Sequence, residues 1–413
     1  MIASISPRKH SRFCGIDIAK NKHVACVIDR EGNLVVRSQS FDNDAEGYQR
    51  ILDRLKEVGG PSKVAIAMEA TGHYWYSLHD FLIRHHYEVA VLNPIQTARQ
   101  VTKGIRKTQT DRIDAQHIAV LLKNGEHRPA IIPGELAMTC RQLSRLQQTM
   151  VRQESRIKQW IWSKLHPVWP EYEQIFTKPF CKTGRALLNA APIPQDVLAL
   201  AREDLVELLR KTSRGKYGVA QTDLVRQSAE NSVGTSRGLT GTRSAIRLLL
   251  AQLKALEPIR EQLEGDIETL AKRLPDYLAT LPGASLISIV SLFGETDPIE
   301  AFPSPSQLIA FAGLDPVVIQ SGESPKEKPT RHISKRGSPY LRRTLWVMAH
   351  RACYQEGDLR NYWLRRKAQG LTHLEAVTAV AIKLCPIVWR IMTDRRDYLP
   401  QRPVTPKVSS TTP

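Results

Sequence analysis

The chain has 413 residues, 42% of them hydrophobic and 24% charged, a composition typical of globular proteins. Its formal net charge of +18 excludes a charge-balanced surface and favours a polyanionic partner, although charge that serves only solubility is the alternative. No apolar stretch reaches the roughly 18 residues of a membrane span, and the first ten residues lack the apolar core of a signal peptide. We therefore expect a cytoplasmic protein of two or three domains with no membrane partner.

The N-terminal part of the chain alternates strand-like and helix-like segments. Gly59-Gly60-Pro61 ends one helical pattern, and Asn93-Pro94 ends a strand. The patterns predict strands over 12–18, 23–29, 33–40, 63–69 and 87–92, and helices over 44–58, 74–86 and 111–124. Three strands in a meander followed by alternating helix and strand indicate an α/β domain of RNase H-like order over residues 10–130.

The middle of the chain, residues 135–275, is predicted to be a helical connector. Apolar residues at 3-4 spacing indicate two long helices that pair as a coiled coil or helical hairpin. Two amphipathic helices on a common core fit the pattern equally well. Pro258 is expected to kink the second helix or break it in two. Residues 170–240 form an insert between the helices, to which the sequence assigns no function.

Residues 276–395 predict a mostly helical C-terminal domain, and residues 396–413 a disordered tail. Leu281–Ala284 resembles a helix-hairpin-helix turn that binds a DNA phosphate, although an ordinary turn between core helices fits as well. The loop-like region around 321–343 is basic, and phosphate contact is the favoured interpretation over a solvated basic face. Its candidate nucleic-acid-binding residues are Lys326, Lys328, Arg331, Lys335, Arg336, Arg342 and Arg343.

The six cysteines contain no C-x-x-C pair, which gives zinc-ribbon and thioredoxin-like sites no support. We expect them to be free thiols, mostly buried, as is usual in a reducing compartment.

Four carboxylates in three short blocks carry most of the functional information. Asp17 ends the first predicted strand, Glu69 ends the fourth, and Asp111 and Asp114 lie three residues apart on one face of a predicted helix. Converging carboxylates repel one another unless a cation holds them together, and oxygen ligands suit Mg²⁺, with Mn²⁺ as an alternative. A metal site of acids in a basic protein indicates phosphodiester chemistry on nucleic acid.

These blocks resemble the DEDD transposases of bacterial insertion sequences, the IS110 family. The likeness rests on Gly15–Lys20, Glu69–Gly72 and Thr110–Ala115. It extends into a second, C-terminal group of blocks and covers about two thirds of the chain. That second group comprises Leu281–Gly283, Phe311–Pro316, Ser321-Gly322, Ser334–Gly337 and Leu341–Arg343.

The resemblance implies a RuvC-like metal domain and a DNA transposase or recombinase activity. It implies that Asp17, Glu69, Asp111 and Asp114 bind the metal, and that Ser321 is the nucleophile that forms a covalent link to a DNA phosphate. The resemblance also implies a noncoding bridge RNA, encoded by the element, that pairs with donor and target DNA. Because the acids and the serine belong to different domains, we expect a homodimer or homotetramer.

Plainer interpretations stay open beside this one. A metal-dependent nuclease of the Holliday-junction type would use water and form no adduct with Ser321. In a nucleic-acid-binding protein without activity, the four acids would be remnants of a former active site. Asp111 and Asp114 also suit a helix N-terminus for electrostatic reasons alone, and a serine in a polar loop is ordinarily a turn residue.

Overall fold

The computed structural model divides the chain into two compact units, residues 1–132 and 133–413. Strand and helix labels below follow the order of elements along the chain. The backbone is described for Ile5 and for residues 9–70, 72–92, 111–126, 132–319 and 330–399, and side chains are described for the same residues except 111, 112, 318, 319, 330 and 331.

The first unit is a mixed α/β structure built on a five-stranded sheet. Its strands are β1 (Arg12–Asp17), β2 (Lys22–Asp29), β3 (Leu34–Asp42), β4 (Val64–Glu69) and β5 (Glu88–Leu92), in the spatial order β3-β2-β1-β4-β5. The first three strands pair antiparallel as a meander, and β4 and β5 continue the sheet parallel to β1. The predicted strands are therefore confirmed, each to within two residues at its ends.

Helices cover both faces of this sheet. Helices α1 (Ala45–Glu57) and α2 (Tyr76–Arg84) contribute Leu52 and Leu78 to the core on one face. Helix α3 (Asp111–Asn124) covers the other face, where its buried residues pack against β1, β2 and β4. The alternation of side chains along β1 assigns Cys14 and Ile16 to the first face.

Helix α3 approaches β1 more closely than any side chain would allow. A Cβ atom on Gly15 would lie 2.0 Å from the carbonyl oxygen of Ala115 and 2.5 Å from the amide nitrogen of Ala119. Ala115 and Ala119 are themselves fully buried. The contact therefore depends on a glycine in the strand facing two alanines one turn apart on the helix.

The second unit is mostly helical and is organised by two long helices that pack against each other. These are α4 (Glu135–Leu165) and α10 (Leu239–Ala271), and Pro258 lies inside α10 without ending it. A helical insert with its own apolar core joins them. It contains α5 (Tyr172–Ile175), α6 (Lys182–Ala190), α7 (Pro194–Ala199), α8 (Arg202–Thr212) and α9 (Val219–Glu230).

The remainder of the second unit packs on the other part of the long helices. Its elements are a 3₁₀ helix (Asp276–Thr280), α11 (Leu286–Thr296), a 3₁₀ turn (Ile299–Ala301), α12 (Pro305–Ala312), strands β6 (Pro316–Ile319) and β7 (Thr330–Ile333), α13 (Pro339–Ala352), α14 (Asp358–Ala368) and α15 (His373–Asp394). The two strands form an antiparallel hairpin.

One described helix, α15, is long and apolar enough to cross a membrane by length and composition. The expectation that no stretch passes this test was therefore wrong. Half of its apolar window is buried inside the protein, and residues such as Val380, Leu384 and Val388 are fully buried in the core of the second unit. Packing in this core accounts for the apolar residues on the buried side of the helix.

The cysteines are free, as predicted, and five of the six are buried. Burial raises the pKa of the Cys385 thiol to about 12 and that of Cys353 to about 11. These thiols pack as small apolar groups and are poor nucleophiles at neutral pH.

We predict that the same substitution has opposite effects at two glycines. Gly15→Ala forces a methyl group into the backbone of α3 and should lower the free energy of unfolding by about 1–3 kcal/mol. Gly265→Ala fills open space within α10 and should be neutral or stabilising by up to about 1 kcal/mol. Urea unfolding of both variants measures the two shifts, and an unaltered Gly15→Ala protein would refute the close contact.

Candidate active site

Two predicted acids lie side by side at the carboxyl ends of neighbouring parallel strands. Ile16 of β1 pairs with Met68 of β4, so that Asp17 and Glu69 each follow one residue later. Neighbouring strands are about 4.8 Å apart, and residues in equivalent register point to the same face. Both side chains are partly exposed. The face they share with Gly15 is the one covered by helix α3.

The direction of α3 brings the other two acids toward the same end of the sheet. A Cβ on Gly32, in the turn between β2 and β3, would lie 3.4 Å from Lys123 Nζ near the end of the helix. That turn lies at the opposite end of the sheet from Asp17. The helix therefore begins near the acidic end of the sheet. Asp114 immediately precedes Ala115, the residue against Gly15, whereas the side chain of Asp111 lies outside the described residues.

The chemical type of these side chains suits a hard divalent cation. The residues at this end of the sheet offer carboxylate oxygens, which Mg²⁺ and Mn²⁺ accept. Within the part of the chain that the structure describes, no three His, Cys, Asp or Glu side chains are already gathered as a metal-ligand group. Asp17, Glu69 and Asp114 thus share one end of the sheet, and a metal would have to draw their carboxylates closer together.

A buried histidine supports the loop that follows Asp17. His23 is fully buried, and its Nδ1 accepts a hydrogen bond from the Ala19 amide at 3.3 Å. Asn43 holds the same loop by donating to the Lys20 carbonyl at 3.1 Å, and it accepts from the Tyr48 hydroxyl. Burial lowers the pKa of His23. The predicted strand over 23–29 includes His23 but did not reveal this role; the signal was a polar residue at the start of an apolar run.

The aromatic residues after Glu69 lie partly in the core. Trp75 is buried and packs against Tyr76, with ring centroids 4.0 Å apart. Tyr74 is half-buried, and His73 is exposed. Its burial therefore assigns Trp75 to core packing.

Ser321 lies outside the described residues, between the two strands of the β6–β7 hairpin. The described base of the hairpin is tightly held. Ser334 donates through its amide to the Asp315 carbonyl at 2.8 Å and through its hydroxyl to the Asp315 carboxylate. A Cβ on Gly337 would lie 1.8 Å from the Phe311 carbonyl oxygen. The Phe311–Pro316 and Ser334–Gly337 blocks therefore pack together at the base of the hairpin.

The predicted basic residues separate into two groups. Lys335, Arg336 and Arg343 are exposed, so they can contact phosphates. Arg342 is partly buried and donates to the Ala312 carbonyl at 3.1 Å, and burial lowers its pKa. Lys326, Lys328 and the side chain of Arg331 lie outside the described residues.

An ion pair between Arg145 and Glu295, which the sequence did not predict, lies next to the start of helix α13. The Glu295 carboxylate is fully buried and accepts two hydrogen bonds from Arg145, at 2.6 and 3.0 Å. It also accepts one from the hydroxyl of Ser338, the residue that caps α13, at 2.8 Å. These contacts link α4, α11 and the end of the Ser334–Ser338 turn. Only tertiary structure brings these residues together, so no local pattern could reveal them.

The Leu281–Ala284 turn is a packed turn. The Gly283 amide donates to Gln355 Oε1 at 2.9 Å, and a Cβ on Gly283 would lie 2.0 Å from the Met348 carbonyl oxygen. Because this amide already has a partner within the unit, the structure favours the ordinary turn between core helices over a phosphate-binding hairpin.

Comparison with known proteins gives two family matches and several full-length relatives. Residues 14–170 match a DEDD-type model described as "Transposase", and residues 276–364 match one described as "Transposase IS116/IS110/IS902 family". The chain is 22% identical to an IS116 insertion-element protein of Streptomyces clavuligerus, covering 96% of this chain and 98% of that protein. It is likewise 22% identical to the transposase for insertion sequence element IS1111A of Coxiella burnetii, covering 94% and 92%. A pilin gene-inverting protein of Moraxella bovis is 34% identical over 25% of this chain and 31% of its own length.

We predict a pH-dependent stability from His23. Its pKa in the folded state lies below the ordinary 6.5, so the unfolded chain binds this proton at higher pH. Stability should therefore fall as the pH drops below about 6.5, with a slope of at most about 1.4 kcal/mol per pH unit. Urea unfolding between about pH 7.5 and 5 should show this slope reduced in His23→Gln and retained in the control His73→Gln, whose histidine is exposed. Equal slopes in wild type and His23→Gln would contradict the assignment.

We predict that loss of Arg145 is far more costly than loss of Arg202, because the carboxylate that Arg145 binds is fully buried whereas the carboxylate that Arg202 binds is exposed. Arg145→Met leaves the buried Glu295 carboxylate without its cation and should cost about 3–5 kcal/mol. Arg202 also binds a carboxylate, Asp223, through two nitrogens, but both side chains are about half exposed. Arg202→Met should therefore cost less than about 1 kcal/mol. Chemical denaturation compares them, and similar losses would argue against a structural role for the buried pair.

Proposed function

The chain belongs to the IS116/IS110/IS902 family of transposases, and from this premise we propose that it cuts and rejoins DNA through a serine–phosphate intermediate. The proposal rests above all on Asp17 and Glu69, which end adjacent parallel strands beside the start of helix α3. The strand order β3-β2-β1-β4-β5 supports an RNase H-like, RuvC-like domain around them.

The acidic residues are proposed to bind Mg²⁺, or Mn²⁺ in its place. Asp17 and Glu69 would hold it from the strands, and Asp111 and Asp114 from the helix. A bound metal would polarise the scissile phosphate and lower the pKa of an attacking hydroxyl. The protein's own part is to keep these oxygens at the end of a rigid sheet, which the Gly15 contact and the His23 loop contacts provide.

Ser321 is proposed to supply the nucleophile. Its hydroxyl oxygen would attack the phosphorus of a DNA phosphodiester, forming a serine–phosphate bond while the bond to one sugar oxygen breaks. The serine proton leaves with a base or water, and the departing sugar oxygen takes up a proton. Attack by a hydroxyl of a second DNA end would then release Ser321 and restore a phosphodiester, so that joining needs no external energy source.

Recognition is proposed to involve both DNA and a structured RNA encoded by the element. The net charge of +18 and the exposed Lys335, Arg336 and Arg343 support binding of a polyanion. A homodimer or homotetramer is proposed because the acids and Ser321 belong to separate regions of the chain, so that each site can combine regions of two subunits.

The test is an adduct assay with the full chain. Labelled DNA spanning the element junction is incubated with Mg²⁺, with and without the element's noncoding RNA, and resolved on a denaturing gel. Wild-type protein should form a protein–DNA adduct that depends on RNA. Ser321→Ala and Asp17→Asn should reduce it to background. Asp29→Asn, at the opposite end of the sheet, is the matched control and should leave it unchanged.

Other outcomes distinguish the alternatives. Free cleaved ends without adduct, unaffected by Ser321→Ala, would indicate a nuclease that uses water. Binding without cleavage in any divalent metal, equal in wild type and Asp17→Asn, would indicate a binding protein whose acids are remnants.

A further inference from the structure

A chain of aromatic and histidine rings runs from the core of the second unit to its surface. Trp346, His350 and Tyr354 follow at four-residue spacing along α13 and the turn after it. The centroids of Trp346 and His350 are 5.4 Å apart, with their planes only 20° from parallel, and those of His350 and Tyr354 are 5.3 Å apart. Trp363 and His373 complete the group: Trp363 lies 5.5 Å from Tyr354 and 6.0 Å from His373.

The inner end of this ring cluster is anchored and the outer end is open. Trp363 is only 9% exposed and belongs to the apolar core. Tyr354 is 60% exposed, and His373 is also exposed. Because Tyr354 contacts both His350 and Trp363, its orientation is restricted while much of its surface remains accessible. An aromatic ring held in this way loses little conformational entropy when a flat ligand stacks on it.

One lysine contacts the ring cluster, and other basic residues lie near it in sequence. Lys367 Nζ lies 5.2 Å from the centroid of Trp363. The last turn of α14 carries Arg365, Arg366 and Lys367, and Arg351 is exposed on α13, three residues before Tyr354. A ligand for this surface should therefore combine a flat aromatic group with negative charge, and a nucleotide has both properties.

We propose that the ring cluster is a stacking site for an unpaired nucleobase, with Tyr354 as the contacting ring and Arg351 and Lys367 near the adjacent phosphates. A base within a duplex is stacked on its neighbours, so the site would recognise a single-stranded or extruded nucleotide. The proposal rests on the proposed function only in assuming that the protein binds nucleic acid. It assigns no catalytic role to these residues.

The experiment uses the full-length protein and a short single-stranded oligonucleotide that contains 2-aminopurine, whose fluorescence is quenched when the base stacks. Wild-type protein should quench it on binding. Tyr354→Ala should abolish the quenching and raise Kd about tenfold, within the range observed when a stacked aromatic is removed. Tyr354→Phe keeps the ring and should bind like wild type. Trp160→Ala is the matched control, since Trp160 is also well exposed, at 49%, but lies on α4 away from the ring cluster.

A duplex of the same sequence separates this proposal from the proposed function. Duplex affinity should be equal in wild type and Tyr354→Ala. If wild-type protein binds neither duplex nor single strand, the proposed function itself fails. If it binds the duplex but Tyr354→Ala leaves quenching and single-strand affinity intact, only the stacking site is overturned. Equal losses in Trp160→Ala, or a Tyr354→Ala effect confined to the oligomeric state measured by light scattering, would also overturn it.

Discussion

The close approach of helix α3 to strand β1 is the constraint on which the acidic site depends. With no Cβ at Gly15, the Ala115 and Ala119 backbone lies directly on the strand. A larger residue in the strand would lift the helix by more than an ångström and carry Asp114 with it. Metal ligands tolerate displacements of only a few tenths of an ångström. The glycine two residues before Asp17 is therefore a structural requirement of the proposed metal site.

The second unit holds the base of its β6–β7 hairpin by a different means. There the buried Glu295 carboxylate binds Arg145 and the hydroxyl of Ser338 beside the turn that leads into α13, and Asp315 and Ser334 close the base of the hairpin. A buried ion pair contributes little net stability because desolvation offsets the attraction. Its geometry is strict, however, since each partner is costly to leave unpaired. Such a contact specifies one arrangement of α4, α11 and the start of α13.

The first unit could be predicted in detail from sequence because its signals are local. The β1 run Arg12–Asp17 alternates between two buried faces, Gly59-Gly60 ends a helix, and β1, β4 and β5 are short and mostly apolar. Asp17 and Glu69 end neighbouring strands, and because these strands run parallel their carboxyl ends lie at one edge of the sheet. The contacts of Glu295 could not be assigned, since Arg145 lies 150 residues away in sequence. Helix α15 was misjudged for a related reason: its apolar character reflects packing in the core of the second unit, where half of its apolar window is buried, and a pattern of hydropathy does not distinguish such packing from membrane insertion.

The proposed reaction brings a negatively charged phosphate to negatively charged carboxylates, and the positive net charge of the protein acts against this repulsion. A phosphate is repelled by the carboxylates of Asp17 and Glu69, yet it must reach them for the proposed reaction. The excess of 18 positive charges supplies long-range attraction that is independent of sequence and weakens as salt rises. Stacking on Tyr354 would be much less sensitive to salt, because it depends on contact between ring faces. Salt should therefore weaken general binding to duplex faster than it weakens binding of an unpaired base. Discrimination between the two forms of nucleic acid would then increase under conditions where total affinity declines.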